Sequence, residues 1–319
     1  MKTSLVDSNY LLLLLCLTAS SSVSAFEIDT SFGNRQGEVT YQIGGQVTLD
    51  SGASGRLRFP LSELRFQINT PTINLKLSHR FRNNWFVSIS TVKNISPNSG
   101  EMQDSDWGIN YYFKNLNAFQ RNSLDIYSES RLTLSTVDLK AELQKNLKIE
   151  FLPKWVFFIG GGISFQRFQF EAFDTIQSYP STPEQPIDVL TGKTLTYRYE
   201  ATMPFASASL SRSINSKTTI TFSTKYSPWL KVTDYDNHIL RDKISEGKSD
   251  GWGTILSASL NYALRTFTNL YLKATYIKTV ANGIQTQHNL KEASFTTAKI
   301  GLRNTTIQNS IHIGISHRF

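Results

Sequence analysis

Cysteine is almost missing from this sequence of 319 residues, which contains only Cys16. That residue lies in an N-terminal segment that we expect to be removed, and a chain without cysteine can form neither disulfides nor thiolate metal sites. The sequence also has no zinc motif, no Gly-x-Ser-x-Gly elbow for a nucleophilic serine, and no cluster of Lys and Arg typical of nucleic-acid binding. We therefore expect a scaffold held by backbone hydrogen bonds, with no metal, no organic cofactor and no nucleic-acid partner.

Long hydrophobic runs are also scarce. The run "LLLLLCLTA" follows a lysine and precedes "SVSA", whose small residues suit a signal peptidase. This pattern predicts a signal peptide over residues 1–25, with cleavage after Ala25. A lipoprotein signal at Cys16 is the alternative, although Leu15 stands where such a signal needs a small residue. The rest of the chain has no apolar run long enough for a membrane-spanning helix.

Helical periodicity is nearly absent too, and a different pattern takes its place. In "GWGTILSASLNYALR", Trp252, Leu256 and Leu260 fall on one face, while Ser257 and Ser259 fall on the other. The same alternation recurs in "NLYLKATY", "TTITFSTKY" and "NWFVSIST". A period of two is typical of β-strands with one apolar and one polar face. Gly, Asn, Asp and Pro separate these segments, so the sequence predicts an all-β chain.

A soluble β-sandwich also alternates, but three further features favour a membrane barrel. The first is the predicted signal peptide. The second is the aromatic content of 20 Phe, 13 Tyr and 5 Trp, with several rings at segment ends where an interfacial girdle would lie. The third is the C-terminal "SIHIGISHRF", which resembles the closing strand of bacterial outer-membrane barrels and ends in the aromatic Phe319. A sheet in lipid must close on itself, because unpaired backbone groups there are costly.

The predicted architecture is a transmembrane, antiparallel, up-and-down β-barrel of about ten strands over residues 26–319. The predicted strands are 36–49, 56–81, 84–95, 122–144, 147–173, 194–213, 217–234, 239–264, 268–283 and 297–319. Tight links at "RFRNN", "QKN", "SINSK" and "RTFTN" would face the periplasm. The long links would face outside, and they are 50–55, 96–121, 174–193, 235–250 and 284–296.

Two acidic segments lie at the predicted outer end of the barrel. Asp104 and Asp106 form one Asp-x-Asp, and Asp234, Asp236 and His238 form an Asp-x-Asp-x-His. Residues two apart share a face of an extended backbone, so each segment would present its side chains together. If both faces look into the barrel mouth, the histidine can take a proton from a water that the carboxylates orient. Acid-rich loops, turns and caps produce the same spacing, so the pattern alone leaves both interpretations open.

These segments, and the order in which they occur, resemble the omptin family of outer-membrane endopeptidases. "IDTSFGNRQGEV" is similar to the start of that family's first strand, "GEMQDSDW" to its Asp-x-Asp-Trp loop, and "FIGGGISFQRFQF" to a middle strand. "TYRYEATMPF" and "TKYSPWLKVTDYDNH" are similar to its Met-Pro segment and to the strand that leads into Asp-x-Asp-x-His. The resemblance extends over nearly the whole predicted mature chain, and the two acidic segments together make it specific.

The resemblance implies a barrel in the outer membrane of a Gram-negative bacterium, with an active site that faces outside. It also implies an aspartic-type endopeptidase that cleaves polypeptides, with a water activated between an Asp–His dyad and an Asp pair. In this sequence Asp236 and His238 would be the dyad, and Asp104 and Asp106 would be the opposing pair.

The omptin resemblance further implies substrate and lipid sites. The family binds a basic residue with acids deep in its groove. Asp234 matches one of these acids, and the second falls near Tyr41, where Glu38 is the nearby acid. The family also depends on lipopolysaccharide held by basic residues of the outer wall, and Arg167 matches one of them. Glu200 stands where the family has another arginine, so the lipid site departs from the family pattern.

A second hypothesis keeps the barrel without the activity. A divergent barrel of this kind would act as a porin, an adhesin or a structural protein, and the altered pocket and lipid positions are its support in the sequence. A narrow lumen filled with Lys, Arg, Glu and Tyr side chains would weaken the porin version. The net charge of +8 fits either a solvated surface or contact with anionic lipid.

Overall fold

The structure of the chain, a computed structural model, describes residues 26–81, 84–108, 122–147, 154–290 and 298–319. The predicted signal peptide, residues 1–25, lies outside the described residues, and so do parts of the predicted links 80–84, 96–121 and 284–296. Within the described ranges the chain forms a sheet of twelve antiparallel strands and a 3₁₀ turn, Ile239–Arg241. No helix in these ranges has the length and apolar character needed to cross a membrane.

The twelve strands are β1 (Phe26–Leu49), β2 (Ser54–Arg56), β3 (Ser62–Arg80), β4 (Trp85–Asn94), β5 (Asn98–Trp107), β6 (Leu124–Leu147), β7 (Trp155–Ser178), β8 (Asp188–Ser213), β9 (Thr218–His238), β10 (Lys243–Arg265), β11 (Thr268–Asn289) and β12 (Ala298–Arg318).

The strands close into a ring. Neighbouring strands pair in sequence order from β6 to β12, and β1 pairs with both β12 and β3. β4 and β5 lie end to end between β3 and β6. Together they occupy one strand position in the closed wall, and we call each such position a stave. β2 pairs only with the end of β1 among the described strands, so the twelve strands make ten staves. The predicted all-β, antiparallel, up-and-down architecture is therefore confirmed.

Alternation sorts the side chains between the two surfaces of the wall. On β10, Trp252, Leu256 and Leu260 lie outside as predicted, whereas Ile255 is buried in the lumen. Exposed apolar side chains form a band on the outer surface, with members such as Leu75, Ile89, Leu143, Ile163, Phe222, Leu272 and Ile313. Trp229 and Trp252 lie at one edge of this apolar band. Such a band, bordered by aromatic rings, is the lipid-facing surface of a transmembrane barrel.

Aromatic side chains fill part of the lumen. The rings of Phe66, Phe168, Phe170, Tyr197 and Tyr199 are fully buried, and we call this group the aromatic layer. Phe66 stacks on Tyr197 with 4.5 Å between the ring centroids, and on Phe170 with 4.9 Å. The layer separates an end of the lumen that is lined by aspartates from a chamber that is lined by lysines.

One predicted loop is wrong. The sequence predicts a connection over 96–121, but Asn98–Trp107 forms β5, which pairs with β3 and β6. Two of the inward side chains of β5 are Asp104 and Asp106, and Met102 is the one apolar residue among its buried positions, so the sequence shows no apolar face that would mark a strand. The acidic segment is therefore part of the barrel wall and not of a loop.

Other strands are longer than predicted for the same reason. β1 begins at Phe26 and not at 36, because its inward side chains are polar, such as Asp29 and Arg35. "QKN" lies within β6 and does not form the predicted tight turn. β7 to β10 also extend into the predicted links 174–193 and 235–250, and β11 extends into 284–296.

Candidate active site

The end of β9 brings three of the predicted site residues to the lumen. Inward and outward side chains alternate along the strand, and Asp234 and Asp236 point inward with 6% and 1% exposure. His238 is the last residue of β9, and its Nε2 atom lies 2.9 Å from Oδ2 of Asp236. β8 and β10 pair with this segment on either side, so the sheet fixes its position.

β5 carries the other two predicted residues. Asp104 and Asp106 point inward and are buried, and pairing with β3 and β6 fixes them in the wall. Arg241 follows β9 closely and contacts Asp106, so the two acidic segments lie at the same end of the lumen. We call the following group the acid cleft: Asp104, Asp106, Asp234, Asp236 and His238.

The Asp104 carboxyl holds its proton more strongly than an ordinary aspartate. Burial raises its pKa well above 3.8, and the charges of Asp106 and Asp236 raise it further. Arg241 and Lys243 act in the opposite direction without cancelling this effect. Nη1 of Arg241 also lies 3.9 Å from Oδ2 of Asp106, at the edge of the acid cleft. Asp104 is therefore suited to donate a proton or a hydrogen bond.

The contact between Asp236 and His238 fixes the tautomer of the imidazole ring. An ionised carboxylate only accepts hydrogen bonds, so Nε2 of a neutral His238 carries the hydrogen and donates a hydrogen bond to Oδ2 of Asp236. Nδ1 is then the basic nitrogen. The side chain of His238 is 13% exposed, so molecules can reach it from the open end of the barrel. This is the arrangement of a general base with an orienting carboxylate.

A chain of hydrogen bonds connects Asp234 to the aromatic layer. The hydroxyl of Tyr197 donates to Oδ1 of Asn304 at 3.2 Å, and Nδ2 of Asn304 donates to Oδ2 of Asp234 at 2.8 Å. Burial raises the pKa of Asp234 from 3.8 to about 7, while the hydrogen bond from Asn304 lowers it and the charge of Asp236 raises it. Asp234 therefore changes its charge near neutral pH.

Gly247 makes room for the carboxyl group of Asp234. It lies directly opposite Asp234 in the pairing of β9 with β10, so both face the lumen. A Cβ atom on Gly247 would lie 2.3 Å from Oδ2 and 2.5 Å from Oδ1 of Asp234. Interiors are close-packed and tolerate no contact that short, so a larger residue at this position would displace the carboxyl group.

Several polar atoms of the site have no hydrogen-bond partner among the described residues. They are Oδ1 of Asp104, Oδ1 of Asp234, Oδ1 of Asp236 and the hydroxyl of Tyr41, and all are buried. Burial raises the pKa of Tyr41 well above 10.0, and the charges of Asp236, Asp234 and Asp104 raise it further, so this hydroxyl stays protonated among the acids. Because buried polar groups normally have partners, these atoms point to a bound molecule with donor groups, such as a water or a cationic side chain.

Across the described part of the chain, no group of three or more His, Cys, Asp or Glu side chains is arranged to hold a metal ion.

The structure does not bring Glu38 into the acid cleft. Glu38 faces outward from β1, and its Oε1 accepts a hydrogen bond from Oγ1 of Thr40 at 2.8 Å. Val39 and Tyr41 are the buried, inward residues at this level. We therefore correct the assignment of Glu38 to the substrate pocket, since a shift of one residue along a strand reverses the face.

Arg167 lies on the outer face of β7. Its Nε atom is 3.4 Å from Oε1 of Glu200, and its side chain is 44% exposed. Nε of Arg198 is 3.8 Å from the same oxygen, and the guanidinium carbon of Arg198 lies 5.5 Å from the centroid of the Tyr235 ring. These residues form a basic and aromatic patch on the outer wall.

Sequence reasoning did not find two residues that shape the site. Gly247 carries a local signal, because an isolated glycine within a strand often marks close approach of another group. Asn304 carries none, because it reaches Asp234 across the lumen, from β12 to β9, which are not adjacent in the sheet. Tyr41 was noted only as the position where a second acid was expected.

Three solved structures illustrate what the chain is similar to. The outer membrane protease OmpT from Escherichia coli shares 16% identity, with 95% of this chain and 99% of OmpT covered and a TM-score of 0.75. OprG from Pseudomonas aeruginosa has 12% identity over 93% of this chain and 96% of its own, with a TM-score of 0.37. The translocator domain of NalP from Neisseria meningitidis has 10% identity over 98% of this chain and 94% of its own, with a TM-score of 0.38.

No curated protein matches the chain significantly. The likeness to OmpT shows a shared fold. The sequence model of the Omptin family matches residues 56–319, which include the acid cleft and more than half of the chain. On this match the chain belongs to the Omptin family.

Proposed function

We propose that this protein is an outer-membrane endopeptidase whose acid cleft hydrolyses peptide bonds. Membership of the Omptin family supports an outer-membrane protease. The observation that carries the catalytic proposal is the 2.9 Å contact between His238 and Asp236, in a cleft that also holds the buried Asp104. Peptide hydrolysis needs a base to activate water and an acid to protonate the leaving group, and the two strands supply one of each.

In this mechanism a water between β5 and β9 is the nucleophile. Nδ1 of His238 takes a proton as the water oxygen attacks the carbonyl carbon, and Asp236 stabilises the imidazolium that forms. Asp104, whose raised pKa favours the protonated carboxyl group, donates a hydrogen bond toward the developing negative charge and then protonates the leaving amine. Asp106 accepts a hydrogen bond from the water, and the nearby Arg241 offsets part of the negative charge of the cleft.

We further propose that Asp234 binds a basic side chain next to the cleaved bond. Its Oδ1 atom is buried and has no partner among the described residues, and a guanidinium or ammonium group would supply one. Tyr41 contributes a neutral hydroxyl where a second acid was expected from the family. The pocket therefore attracts a cation with one charge, and its preference for Arg or Lys should be weaker than that of a pocket with two acids.

Lipid contact is the third part of the proposal. The patch of Arg167, Arg198 and Tyr235 lies beyond the Trp229 edge of the apolar band, where lipid headgroups would be. We propose that Arg167 binds a phosphate of lipopolysaccharide and that the acid cleft faces outside. Glu200 offsets part of this positive charge, so lipopolysaccharide should stimulate cleavage only modestly, and Arg167→Gln should remove the stimulation.

The experiment that tests the proposal is a cleavage assay on protein refolded in detergent micelles. The substrate is a fluorogenic peptide with an Arg-Arg bond, with and without lipopolysaccharide. We expect His238→Ala and Asp236→Asn to lower kcat/KM by at least about a hundredfold, the contribution of a general base. Asp250→Asn, an exposed aspartate on the outer wall near the same end, is the matched control and should cleave as the wild type does.

Undiminished cleavage by His238→Ala would end this assignment. If the correctly folded wild type cleaves no peptide at all, the result favours the alternative hypothesis. In that hypothesis the barrel is inactive and acts as a porin, an adhesin or a structural protein. Folding is checked separately by the heat-modifiable gel migration of the barrel.

A further inference from the structure

The lumen beyond the aromatic layer carries the opposite charge from the acid cleft. Four lysines from four different strands point into it, and they are Lys76, Lys140, Lys225 and Lys273. Together with the surrounding wall they line a cavity of about 630 Å³. We call this space the basic chamber. Nothing in the proposed peptidase mechanism uses it.

Carboxylates neutralise only part of this charge. Nζ of Lys76 lies 3.0 Å from Oδ2 of Asp29, and Lys225 forms an ion pair with Glu142. Lys140 and Lys273 have no ion pair among the described residues. Arg35, which also lines the chamber, is held by Asp138 at 2.5 Å. Inside the barrel the basic chamber thus holds five cationic side chains against three carboxylates. At its far end Glu27 pairs with Arg318 at 3.4 Å, and the exposed Lys217 adds a further positive charge.

The lysines repel one another. The charges of Lys140, Lys76 and Lys225 all act on Lys273, and the charge of Glu142 offsets part of their effect. The cations of the chamber outnumber its carboxylates, so a positive potential remains, and a partly dehydrated lumen screens it less than bulk water does. An anion in the chamber would relieve this repulsion.

Hydroxyl groups lie beside the lysines in the sheet register. Ser90 of β4 lies between Lys76 of β3 and Lys140 of β6, and Ser164 of β7 lies on the other side of Lys140. Across the chamber, Ser259 lies opposite Lys273 in the pairing of β10 with β11. Ammonium and hydroxyl groups donate hydrogen bonds and, placed together, suit the oxygens of a multivalent anion.

The described part of the chamber lining indicates the end from which a ligand would enter. The aromatic layer blocks the path from the acid cleft, whereas the chamber lining continues to Lys217 and Arg318 near the opposite end of the barrel. A ligand therefore has to be small enough to enter through the end of the lumen near Lys217 and Arg318. It also has to be water-soluble, because it comes from the aqueous side.

We propose that the basic chamber binds a small inorganic oxyanion of the phosphate or sulfate class, which enters from the end opposite the acid cleft. The binding site consists of Lys140 and Lys273, which have no carboxylate of their own, and the hydroxyls beside them. Binding neutralises the surplus charge and ties strands on opposite sides of the lumen together, so the anion should also stabilise the barrel.

Calorimetric titration of the full chain in zwitterionic detergent with inorganic phosphate, at low ionic strength, tests this directly. We expect saturable binding of one phosphate per chain, competition by sulfate and a higher unfolding midpoint when phosphate is present. Lys273→Met should weaken the binding by at least about tenfold, the effect of losing one charge-assisted hydrogen bond. Lys231→Met is the matched control, because Lys231 lies on β9 like Lys225 but faces outward and is exposed.

Absence of saturable binding to the wild type would overturn the proposal, whatever the variants do. Binding by Lys273→Met that equals the wild type would also overturn it. If Lys273→Met does not refold, Lys140→Met replaces it, and the wild-type titration still gives a decision.

Discussion

Asp234 shows how a single buried carboxyl group couples pH to the proposed specificity. Its Oδ2 accepts a hydrogen bond from Asn304, and Gly247 leaves the space that the group occupies. Burial is the largest effect on its pKa, which is raised to about 7. Below that pH the pocket is neutral and should bind a polar or apolar side chain. Above it the pocket carries a charge that favours a basic one.

Cleavage next to arginine should therefore depend on pH through KM. As the pH rises through about 7, Asp234 ionises and KM for an arginine peptide should fall by about tenfold. A peptide with citrulline, which has the shape of arginine without its charge, is the control and should show no such fall. Asp234→Asn should remove the difference between the two peptides. A fall in KM that persists in Asp234→Asn would contradict the assigned role.

The same group should make folding sensitive to pH. The folded pKa lies above the ordinary value of 3.8, so the folded chain keeps a proton that the unfolded chain releases. The contribution of Asp234 to stability is then full below the unfolded pKa and is lost as the pH rises toward about 7. Asp234→Asn should reduce this loss, as measured by urea unfolding at a series of pH values.

The stave formed by β4 and β5 is the element that places half of the acid cleft. The strand is interrupted at residues 95–97, where the backbone does not continue the regular hydrogen bonding to β6. The side chain of Asn94 forms hydrogen bonds to the backbone of β6 instead. Nδ2 of Asn94 donates to the carbonyl oxygen of Leu134 at 2.7 Å, and Oδ1 of Asn94 accepts from the N–H of Thr136 at 2.8 Å. These two hydrogen bonds hold β5 in the wall, with its two aspartates facing the lumen.

Asn94→Ala should therefore destabilise the barrel. It leaves the N–H of Thr136 and the carbonyl of Leu134 without partners, at a cost of about 2 to 4 kcal/mol in the free energy of unfolding. Urea unfolding in detergent micelles measures this cost, and cleavage should fall together with stability because β5 shifts. Asn98→Ala, which removes an exposed side chain of the same type, is the control. Equal unfolding midpoints for the two variants would contradict this role of Asn94.

Strand alternation explains which elements could be predicted from the sequence. Where an apolar face meets lipid, as in β10, the alternation is complete and the prediction is confirmed. Where the inward residues are acids, as in β5, the sequence predicts a loop, because an acid at alternate positions does not mark a strand. Whether Glu38 faces the lumen or the outside was also hard to predict, because a shift of one residue along β1 reverses the face of the wall.

The site itself was only partly open to prediction. Asp104, Asp106, Asp236 and His238 form short local patterns, and the structure brings both patterns to the same end of the lumen. Contacts that cross the lumen, such as the one from Asn304 to Asp234, depend on how the ring of strands closes. No local sequence pattern predicts that closure, so these contacts could not be predicted.

At the scale of the whole molecule, the aromatic layer divides the barrel into two compartments of opposite charge. The acid cleft on one side is suited to peptide chemistry, and the basic chamber on the other is suited to an anion. A continuous water path between them would have to pass the stacked rings of Phe66, Phe170 and Tyr197. We therefore expect the stacked rings to close the lumen to a continuous water path.

The wild-type protein should accordingly carry no steady current in a planar lipid bilayer. The stacked rings of the aromatic layer lie in the path that hydrated ions would have to take. A known porin, incorporated in the same way, is the positive control. Steady single-channel conductance without any peptide cleavage would favour the porin version of the inactive-barrel hypothesis over the proposed peptidase.

The central claim is that β5 and β9 act together as one catalytic site, and a double-mutant comparison tests it most directly. The measurement is kcat/KM on the Arg-Arg peptide for Asp104→Asn, for His238→Ala and for the protein with both substitutions. The account predicts that each single substitution lowers kcat/KM by at least about a hundredfold and that the double substitution lowers it little further, because both residues serve the same step. Losses that multiply, or an Asp104→Asn protein that cleaves as the wild type does, would contradict it.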